Sequence, residues 1–341
     1  MDINNRRYTG SKFKLINWIS EVLRKHCLEC SSMFDVFGGT GIVTASLIDE
    51  YDHFIINDFL FSNEVIYKAF FGKEGYNYDV VKSIAEEYKE LDYKSLCDNY
   101  VSKNYGDKYF RYEDAKAIGY IREDLEIKKN NQEINEKEFN ILLASLLYSF
   151  DRCANTVGHY EAYIKNKQIR TKFEFDLIEP IDIKGKRVSI YRQDSNELAK
   201  EVKADIAFID PPYNSRQYSR FYHVMENITK WEKPQLSGVA MKPPEENMSE
   251  YCRNNAVRAF KDLIDSLDVK YIAVTYNNTY NSKSSSSRNK ITLDEIENIL
   301  GTKGETIVYE KDHQCFNAGK TEFNGHKELL FITKVGKINA K

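Results

Sequence analysis

The sequence is poor in the features that mark membrane and extracellular proteins. None of its apolar runs approaches the roughly 18 residues that a membrane-spanning helix needs, and its mean hydropathy is -0.58. The first residues, MDINNRRYTGSK, are polar and no apolar core follows them, so we expect no secretory signal. Six cysteines among 341 residues do not form a disulfide framework, which favours a cytoplasmic protein.

An excess of charge of one sign is also lacking. The chain has 49 Lys and Arg against 52 Asp and Glu, a net charge of -3. This balance does not exclude nucleic acid, but any basic face has to be balanced by acidic surface elsewhere. Hydrophobic residues make up 42%, enough for a core, and the length allows two domains or one large domain with an insertion.

The first sixty residues have the pattern of a parallel α/β sheet. A short apolar strand at 34–37 ends in the turn Gly38-Gly39-Thr40-Gly41, and a helical pattern begins at Ile42. A second apolar strand at 54–56 ends at Asn57-Asp58. Strand, glycine turn, helix and strand in this order are typical of a βαβ unit in a doubly wound fold.

Proline is scarce, and none of the six precedes Pro180. The tyrosine-rich stretch 60–179 has helical periodicity, and we interpret it as a mainly helical insertion with helices at 79–91, 113–128 and 137–150. After it, further helical patterns lie at 221–230, 250–266 and 292–300, and strand patterns at 188–191, 206–209, 271–274, 306–309 and 329–332. The last two strands lack a helix-length connection, so we expect an antiparallel hairpin beside a mostly parallel, Rossmann-like sheet.

Two of the six prolines form a pair in Asp210-Pro211-Pro212-Tyr213, directly after the apolar strand IAFI. A strand that stops here places its end in the crevice where open α/β sheets bind ligands. Proline fixes φ and donates no hydrogen bond, so Asp210 and the Pro211 carbonyl are held as acceptors. Two acceptors beside an aromatic ring suit a planar aromatic amine. The alternative is that the tetrapeptide only ends a strand.

Asp58 follows Gly38 by 20 residues, at the end of the next strand. An acidic residue at this offset usually binds ribose hydroxyls. The turn itself lacks the third glycine of the dinucleotide pattern G-x-G-x-x-G. Together these features predict an adenosyl group with little or no phosphate, although the turn alone could be only a tight turn.

A third segment, Tyr8-Thr9-Gly10-Ser11-Lys12, precedes a helical pattern. Ser11 could cap that helix, which would be its default role if the segment stood alone. The other interpretation places Tyr8 and Lys12 near a zwitterionic ligand.

Metal binding is not expected. Cys27 and Cys30 form one C-x-x-C pair, and no second pair completes a zinc site. The six histidines lack ligand spacing, and His159 is expected to pack structurally.

These three motifs, in this order, resemble the Dam-like, or α-group, adenine-specific DNA methyltransferases. The segments Asn214-Ser215-Arg216-Gln217-Tyr218 and 154–162 are most similar to those of FokI-type restriction–modification methylases. One departure is that Tyr276-Asn277-Asn278 runs into the serine-rich loop 282–289, where relatives usually carry Tyr-Asn-x-Glu-Gly. The role of that loop is therefore undetermined.

The resemblance implies the fold of an S-adenosylmethionine-dependent methyltransferase, with residues 1–59 and 180–341 as the catalytic domain. The placement of basic stretches on the insertion and beside the tetrapeptide predicts that 60–179 is the target-recognition, DNA-binding insertion. The implied catalytic residues are Asp210, Pro211, Pro212 and Tyr213. The implied cofactor-binding residues are Tyr8, Lys12, Asp35, Phe37, Gly38, Gly39, Gly41, Asp58, Asp194 and Asp210.

The implied reaction transfers a methyl group from S-adenosylmethionine to the N6 amine of adenine. Asp210 and Pro211 would accept both N–H bonds, so the nitrogen could pyramidalise and aim its lone pair at the methyl. The base would have to be flipped out of the duplex, at a few kcal/mol. Stacking on Tyr213, worth about 1–3 kcal/mol, would offset part of that cost.

Three alternatives stay open at the level of sequence. RNA and release-factor glutamine methylases usually begin the tetrapeptide with Asn, and cytosine-amine methylases usually begin it with Ser. A DNA-binding module without catalysis would need no cofactor pocket. The initial Asp, the Gly-Ser-Lys start and the long insertion favour adenine in DNA.

Double-stranded DNA is the expected partner, and phosphates need basic residues. Candidates lie on the insertion and beside the tetrapeptide: Lys165, Lys167, Arg170, Lys172, Arg216 and Arg220, with Lys283, Arg288 and Lys290 as a third group. The resemblance also implies a possible companion restriction endonuclease, and a monomer is expected.

Overall fold

The chain folds as two compact units in a computed structural model that describes residues 1–165, 168–278, 289–312 and 326–336. The sheet unit consists of Lys12–Phe59, Lys184–Gln217 and Asn247–Lys341. The helical unit consists of Met1–Ser11, Leu60–Ile183 and Tyr218–Glu246. Each unit is therefore assembled from three separate stretches of the chain.

A seven-stranded sheet in the order β3-β2-β1-β4-β5-β7-β6 forms the centre of the sheet unit. The first five strands pair in parallel, and β7 pairs antiparallel with both β5 and β6. The strands are β1 (Ser32–Asp35), β2 (His53–Asn57), β3 (Arg187–Tyr191), β4 (Ile206–Ile209), β5 (Tyr271–Asn277), β6 (Gly304–Asp312) and β7 (Lys327–Val335). The prediction of a mostly parallel sheet with an antiparallel hairpin is confirmed.

The central strands are apolar because helices cover both faces of a doubly wound sheet. All four residues of β4 are buried. Phe34, Ile209 and Val274 belong to one core cluster with Phe260 and Leu263. This packing fixes where the carboxyl ends of the parallel strands lie, and therefore the position of the polar residues that follow them.

Twelve α-helices occur among the described residues. They are α1 (Ile16–His26), α2 (Ile42–Ser46), α3 (Phe61–Phe71), α4 (Tyr78–Lys89), α5 (Tyr100–Tyr105), α6 (Tyr112–Asn130), α7 (Glu136–Cys153), α8 (Ser195–Leu198), α9 (Tyr218–Phe221), α10 (His223–Lys230), α11 (Ala256–Ser266) and α12 (Leu293–Gly301). Helices α3 to α7, α9 and α10 belong to the helical unit. None of the described helices is long and apolar enough to cross a membrane.

The helical unit is built around α7, which is buried over nearly its whole length. Helices α3 and α6 pack against it. Asparagine side chains cap three of the helices of this unit: Asn77 begins α4, Asn99 begins α5 and Asn135 begins α7. Each accepts backbone N–H groups that have no partner within the helix.

The predicted helices and strands agree with the structure in position, with shifts at the ends. The strand predicted at 34–37 is β1, which ends at Asp35, so Val36 and Phe37 follow the strand. The helix predicted at 250–266 is shorter, because a 3-10 turn at Glu250–Cys252 precedes α11. Helices α3, α5 and α8 were not predicted, and the helix predicted at 221–230 covers α10 but only the last residue of α9. Residues 282–288 of the serine-rich loop lie outside the described residues.

Candidate active site at the carboxyl edge of the sheet

Three acidic residues line the carboxyl edge of neighbouring strands. Asp35 is the last residue of β1 and pairs with Ile56 of β2 and Phe208 of β4. Asp58 and Asp210 therefore lie two residues beyond that level on either side of Asp35. Burial, and after it the negative charges of Asp210 and Asp58, raises the pKa of Asp35 to about 7. Three carboxyl groups are therefore grouped at this edge, and the nearby negative charges contribute to the raised pKa of Asp35.

The glycine turn after β1 is tied to Asp58. The Gly39 N–H donates to Asp58 Oδ2 at 3.0 Å, and the Gly38 N–H donates to the Asn57 carbonyl at 2.7 Å. Gly39 and Gly41 have positive φ angles of 53° and 78°, a conformation that side chains other than glycine rarely adopt. The turn therefore needs its glycines to follow this path.

Asp35 and Phe37 flank the start of the turn. Asp35 Oδ2 accepts a hydrogen bond from Thr44 Oγ1 at 3.0 Å, which fixes the buried carboxyl against α2. The Phe37 ring packs edge to face on Tyr251, with ring centroids 5.0 Å apart. Both residues predicted to bind the cofactor are thus held in one orientation by the sheet unit.

Asp194 caps the short helix α8 after β3. Its Oδ1 accepts the backbone N–H groups of Asn196 and Glu197 at 2.9 and 3.2 Å. Asn57 joins this segment to the end of β2, because its side chain donates to the Gln193 carbonyl and accepts from the Gln193 N–H, each at 3.1 Å. The predicted adenine contact of Asp194 stays a prediction.

Three side chains converge on one oxygen of Asp210. Lys12 Nζ lies 2.9 Å from Asp210 Oδ1, and Thr275 Oγ1 donates to the same atom at 2.8 Å. The Tyr213 hydroxyl also donates to Oδ1, in a short hydrogen bond. These contacts occupy Oδ1 and leave Oδ2 as the oxygen that can accept from a ligand.

Lys12 and Tyr213 are themselves joined. Lys12 Nζ donates to the Tyr213 hydroxyl oxygen at 2.8 Å. Burial lowers the pKa of Lys12, but Asp210 and then Glu328 attract its charge and raise the pKa above the ordinary value overall. The Tyr213 ring packs edge to face on Tyr276, with centroids 4.8 Å apart. Pro211 is buried and Pro212 half-buried within the same turn.

Tyr8 belongs to the helical unit. Its ring stacks on Tyr222, with centroids 4.9 Å apart and planes 5° from parallel, and the Arg6 guanidinium lies 4.7 Å from the ring centroid. Its predicted role in cofactor binding stays a prediction.

The candidate DNA-binding residues divide between the two units. Lys165, Arg170 and Lys172 are exposed on the helical unit, and Arg220 of that unit donates to the Pro243 carbonyl at 2.7 Å. Arg216 belongs to the sheet unit. Lys167, Lys283 and Arg288 lie outside the described residues.

No group of three or more His, Cys, Asp or Glu residues in the described part of the chain is arranged to hold a metal ion. His159 stacks on Phe221, with ring centroids 4.3 Å apart.

Three contributors to the site carry no sequence signal. Thr44 lies in a helix and Thr275 in a strand whose sequence patterns predict only core packing. Glu328 lies in a strand with an apolar pattern. Only the pairing of β4, β5 and β7 brings Thr275 and Glu328 towards Asp210.

Comparison with known proteins agrees with this geometry. The model of the D12 class N6 adenine-specific DNA methyltransferases matches residues 8–292. The chain belongs to this family. The predicted resemblance and enzyme class are thereby confirmed, and the family favours adenine in DNA over the RNA, cytosine and non-catalytic alternatives.

Individual members of the family are similar over most of this chain. Type II methyltransferase M.NlaIII of Neisseria lactamica is 29% identical over 94% of this chain and 95% of its own length. Type II methyltransferase M.FokI of Planomicrobium okeanokoites is 32% identical, and modification methylase LlaI of Lactococcus lactis subsp. lactis is 31% identical. These matches cover 96% and 95% of this chain but only 52% and 53% of those two proteins.

Proposed function

We propose that Asp210 is the acceptor that orients an adenine amine for methylation and that S-adenosylmethionine binds along the edge from Asp58 to Asp210. The observation that carries this proposal is the convergence of Lys12, Tyr213 and Thr275 on Asp210 Oδ1. It leaves one carboxylate oxygen, at the carboxyl end of β4, to accept an N–H bond.

The chemistry of the edge fits the proposed cofactor. S-Adenosylmethionine, when bound, supplies an electrophilic methyl group on a positively charged sulfur. A cation is favoured at an edge with three carboxyl groups, where burial, and after it the negative charges of Asp210 and Asp58, raises the pKa of Asp35 to about 7. Asp58, which already accepts the Gly39 N–H, has the lone pairs to accept ribose hydroxyls as well.

The residues of the tetrapeptide would bind and orient the target base. Asp210 Oδ2 accepts one N–H of the amine, the Pro211 carbonyl accepts the other, and Asp210 takes up the proton that the nitrogen loses. The Tyr213 ring is fixed by its hydroxyl contacts and by Tyr276 before a base arrives. A flipped adenine would therefore stack on a surface that is already oriented.

We further propose that the insertion 60–179 recognises the target sequence in double-stranded DNA. The exposed Lys165, Arg170 and Lys172 support this, because they supply positive charge on the helical unit. Lys167, Arg216 and Arg220 are the remaining candidates. A companion endonuclease is proposed because the named relatives are type II methyltransferases and modification methylases. The cytoplasmic location and the monomeric state remain predictions.

Transfer of tritium from labelled S-adenosylmethionine tests the proposal. Duplex DNA, single-stranded RNA and protein are offered in parallel, and the labelled nucleoside is identified after digestion. We expect label in N6-methyladenine from duplex DNA only. Label in N4-methylcytosine, in RNA or in protein would contradict the proposal.

A further inference from the structure

A second buried carboxylate, Glu328 of β7, belongs to the same region of the sheet unit. Its residue exposure is 7%, and its Oε1 lies 3.3 Å from His326 Nε2. Its Oε2 is buried and has no hydrogen-bond partner among the described residues. A carboxylate oxygen buried in this way is costly unless a nearby positive charge stabilises it.

The register of the sheet places Glu328 on the face that carries Thr275. Glu328 pairs with Asn277 of β5, and Leu330 pairs with Thr275. Residues two apart on a strand share a face, and so do cross-strand partners. Glu328 therefore lies on the same side of the sheet as the hydroxyl that donates to Asp210.

The charge of Lys12 interacts with both carboxylates, by direct contact with Asp210 and at longer range with Glu328. Its side chain is 4% exposed and forms an ion pair with Asp210. The negative charge of Glu328 also acts on Lys12 and on Tyr213, where it ranks directly after Asp210 among the charges that raise each pKa. The group thus contains one ammonium and two carboxylates, which leaves one net negative charge when all three are ionised.

We propose that Glu328 is a positioning residue for methyl transfer and that it acts through Lys12. The negative charge of Glu328 also attracts the Lys12 ammonium. Lys12 therefore neutralises less of the charge of Asp210, and Asp210 stays a strong hydrogen-bond acceptor for the amine. This inference rests on the proposed function of Asp210.

Loss of the Glu328 charge should affect the rate of methyl transfer more than the affinity for the cofactor. Without the charge of Glu328, the Lys12 ammonium neutralises more of the charge of Asp210. Asp210 then attracts an N–H bond less strongly, and the group loses the net negative charge that favours the positive charge developing on the nitrogen. The adenosyl contacts predicted at Asp58 and Asp194 are untouched.

The variant Glu328→Gln removes the charge and keeps the shape. We expect kcat to fall about tenfold, the equivalent of one pKa unit of interaction, while the Kd for S-adenosylhomocysteine changes less than about twofold. Glu328→Asp keeps the charge and should retain most of the activity. It is the variant used to test the proposal if Glu328→Gln does not fold. The matched control is Glu310→Gln, an exposed glutamate of β6 that pairs with Lys327, and its kcat should be unchanged.

A double-mutant cycle tests whether Glu328 acts through Lys12. In a Lys12→Met background, measured by single-turnover kinetics, Glu328→Gln should have almost no further effect. An equal loss in both backgrounds would overturn the proposal. So would a loss of activity explained wholly by unfolding of the variant at the assay temperature.

The pKa of Lys12 can be measured in the absence of cofactor. The protein is labelled with ¹³C at the ε-carbon of lysine and titrated by NMR, and the Lys12 signal is assigned by its loss in Lys12→Met. The titratable groups that act on Lys12 are Asp210 and Tyr213 after β4, which contact it, and Glu328 of β7, which itself lies beside His326. Glu328→Gln should lower the pKa of Lys12, and Glu310→Gln should not. An unchanged Lys12 pKa together with an unchanged kcat would overturn the proposal.

Asp210→Ala, assayed in parallel, separates the two ideas. If Asp210→Ala is active, the proposed function of Asp210 fails. If Asp210→Ala is inactive and Glu328→Gln is fully active, only the role of Glu328 fails.

Discussion

Asp210 is held by one neighbouring side chain and by two from distant parts of the chain. Lys12 precedes α1, Tyr213 follows Asp210 by three residues, and Thr275 lies on β5. Two of these were identified from sequence, since Lys12 and Tyr213 stand in motifs with a chemical meaning. Thr275 was not, because a threonine in an apolar strand is indistinguishable from core until the strand pairing is known.

The variant Asp210→Ala should lose methyl transfer and keep cofactor binding. Loss of the acceptor should reduce kcat by a factor of about 10³ or more, because the Pro211 carbonyl alone then accepts from the amine and no carboxylate takes up its proton. The Kd for S-adenosylhomocysteine, measured by calorimetry, should change only a few-fold. Since the change removes the ion-pair partner of the buried Lys12, the melting temperature is measured as a control. Retention of full activity would refute the assignment.

Asp35 predicts a pH dependence of stability. Burial raises its pKa from 3.8 to about 7, so the folded state binds this proton more tightly than the unfolded state. The resulting stabilisation is complete below the unfolded-state pKa and is lost as the pH rises through the folded-state pKa. Denaturant unfolding should therefore give a free energy of unfolding that decreases between about pH 4 and pH 7.

Asp35→Asn removes this ionisation, and its stability should vary less over the same pH window. The exposed Asp49, which pairs with Lys184, gives the control variant Asp49→Asn, whose profile should follow that of the unmodified protein. Parallel profiles for Asp35→Asn and the unmodified protein would show that Asp35 titrates normally.

At the scale of elements, helix ends are stabilised by side chains that no local pattern identifies. Arg122 of α6 donates from Nε to the Ile228 carbonyl at 2.7 Å and from Nη2 to the Thr229 carbonyl at 3.0 Å. These carbonyls belong to the last turn of α10, where they lack partners within the helix. Arg122 therefore joins α6 to the end of α10 inside the helical unit.

Arg122→Met should destabilise the protein by about 3 kcal/mol, because it leaves two buried carbonyls unsatisfied. Urea unfolding measures the change. Arg258→Met, on the exposed face of α11, is the control and should stay within about 0.5 kcal/mol. Equal stability of the two variants would mean that the Arg122 contacts contribute nothing.

If the basic residues of the segment 165–172 contact phosphates, their removal should lower the affinity for DNA. Replacing Lys165, Arg170 and Lys172 by alanine should weaken binding to all duplexes alike. The slope of log K against log salt should decrease by about one for each phosphate contact removed. Fluorescence anisotropy at several salt concentrations measures it.

The control for this variant replaces three exposed basic residues of the sheet unit, Lys200, Lys203 and Arg258. It removes the same charge and should leave the slope unchanged. Equal slopes for both triple variants would show that the segment 165–172 does not contact DNA.

Secondary structure was predictable where periodicity was strong. Apolar runs predicted all seven strands, and helices α4, α6 and α7 were predicted to within a few residues. Helix α3 was missed, because it is apolar on most sides and has no side-chain cap of its own. Its first N–H groups are satisfied by Glu226 of α10, a contact between distant segments.

At the scale of the whole molecule, the fold class followed from the order of strands and turns. The strand order, the exact membership of each unit and the position of β7 between β5 and β6 did not. Residues 1–11 and 218–246 join the helical unit through contacts between distant segments, such as the hydrogen bonds of Tyr148 to Ile3 and of Arg122 to Ile228. Long-range pairing decides such features, and a single sequence contains no local pattern for them.

The central claim is that this chain methylates the N6 amine of adenine in DNA through Asp210. The most direct measurement is nucleoside analysis and modified-base sequencing of DNA from a host that expresses only this protein, beside a host that expresses Asp210→Ala. The account predicts N6-methyladenine at one recurring sequence in the first host and none above background in the second. No N6-methyladenine in the first host, or equal amounts in both, would contradict it.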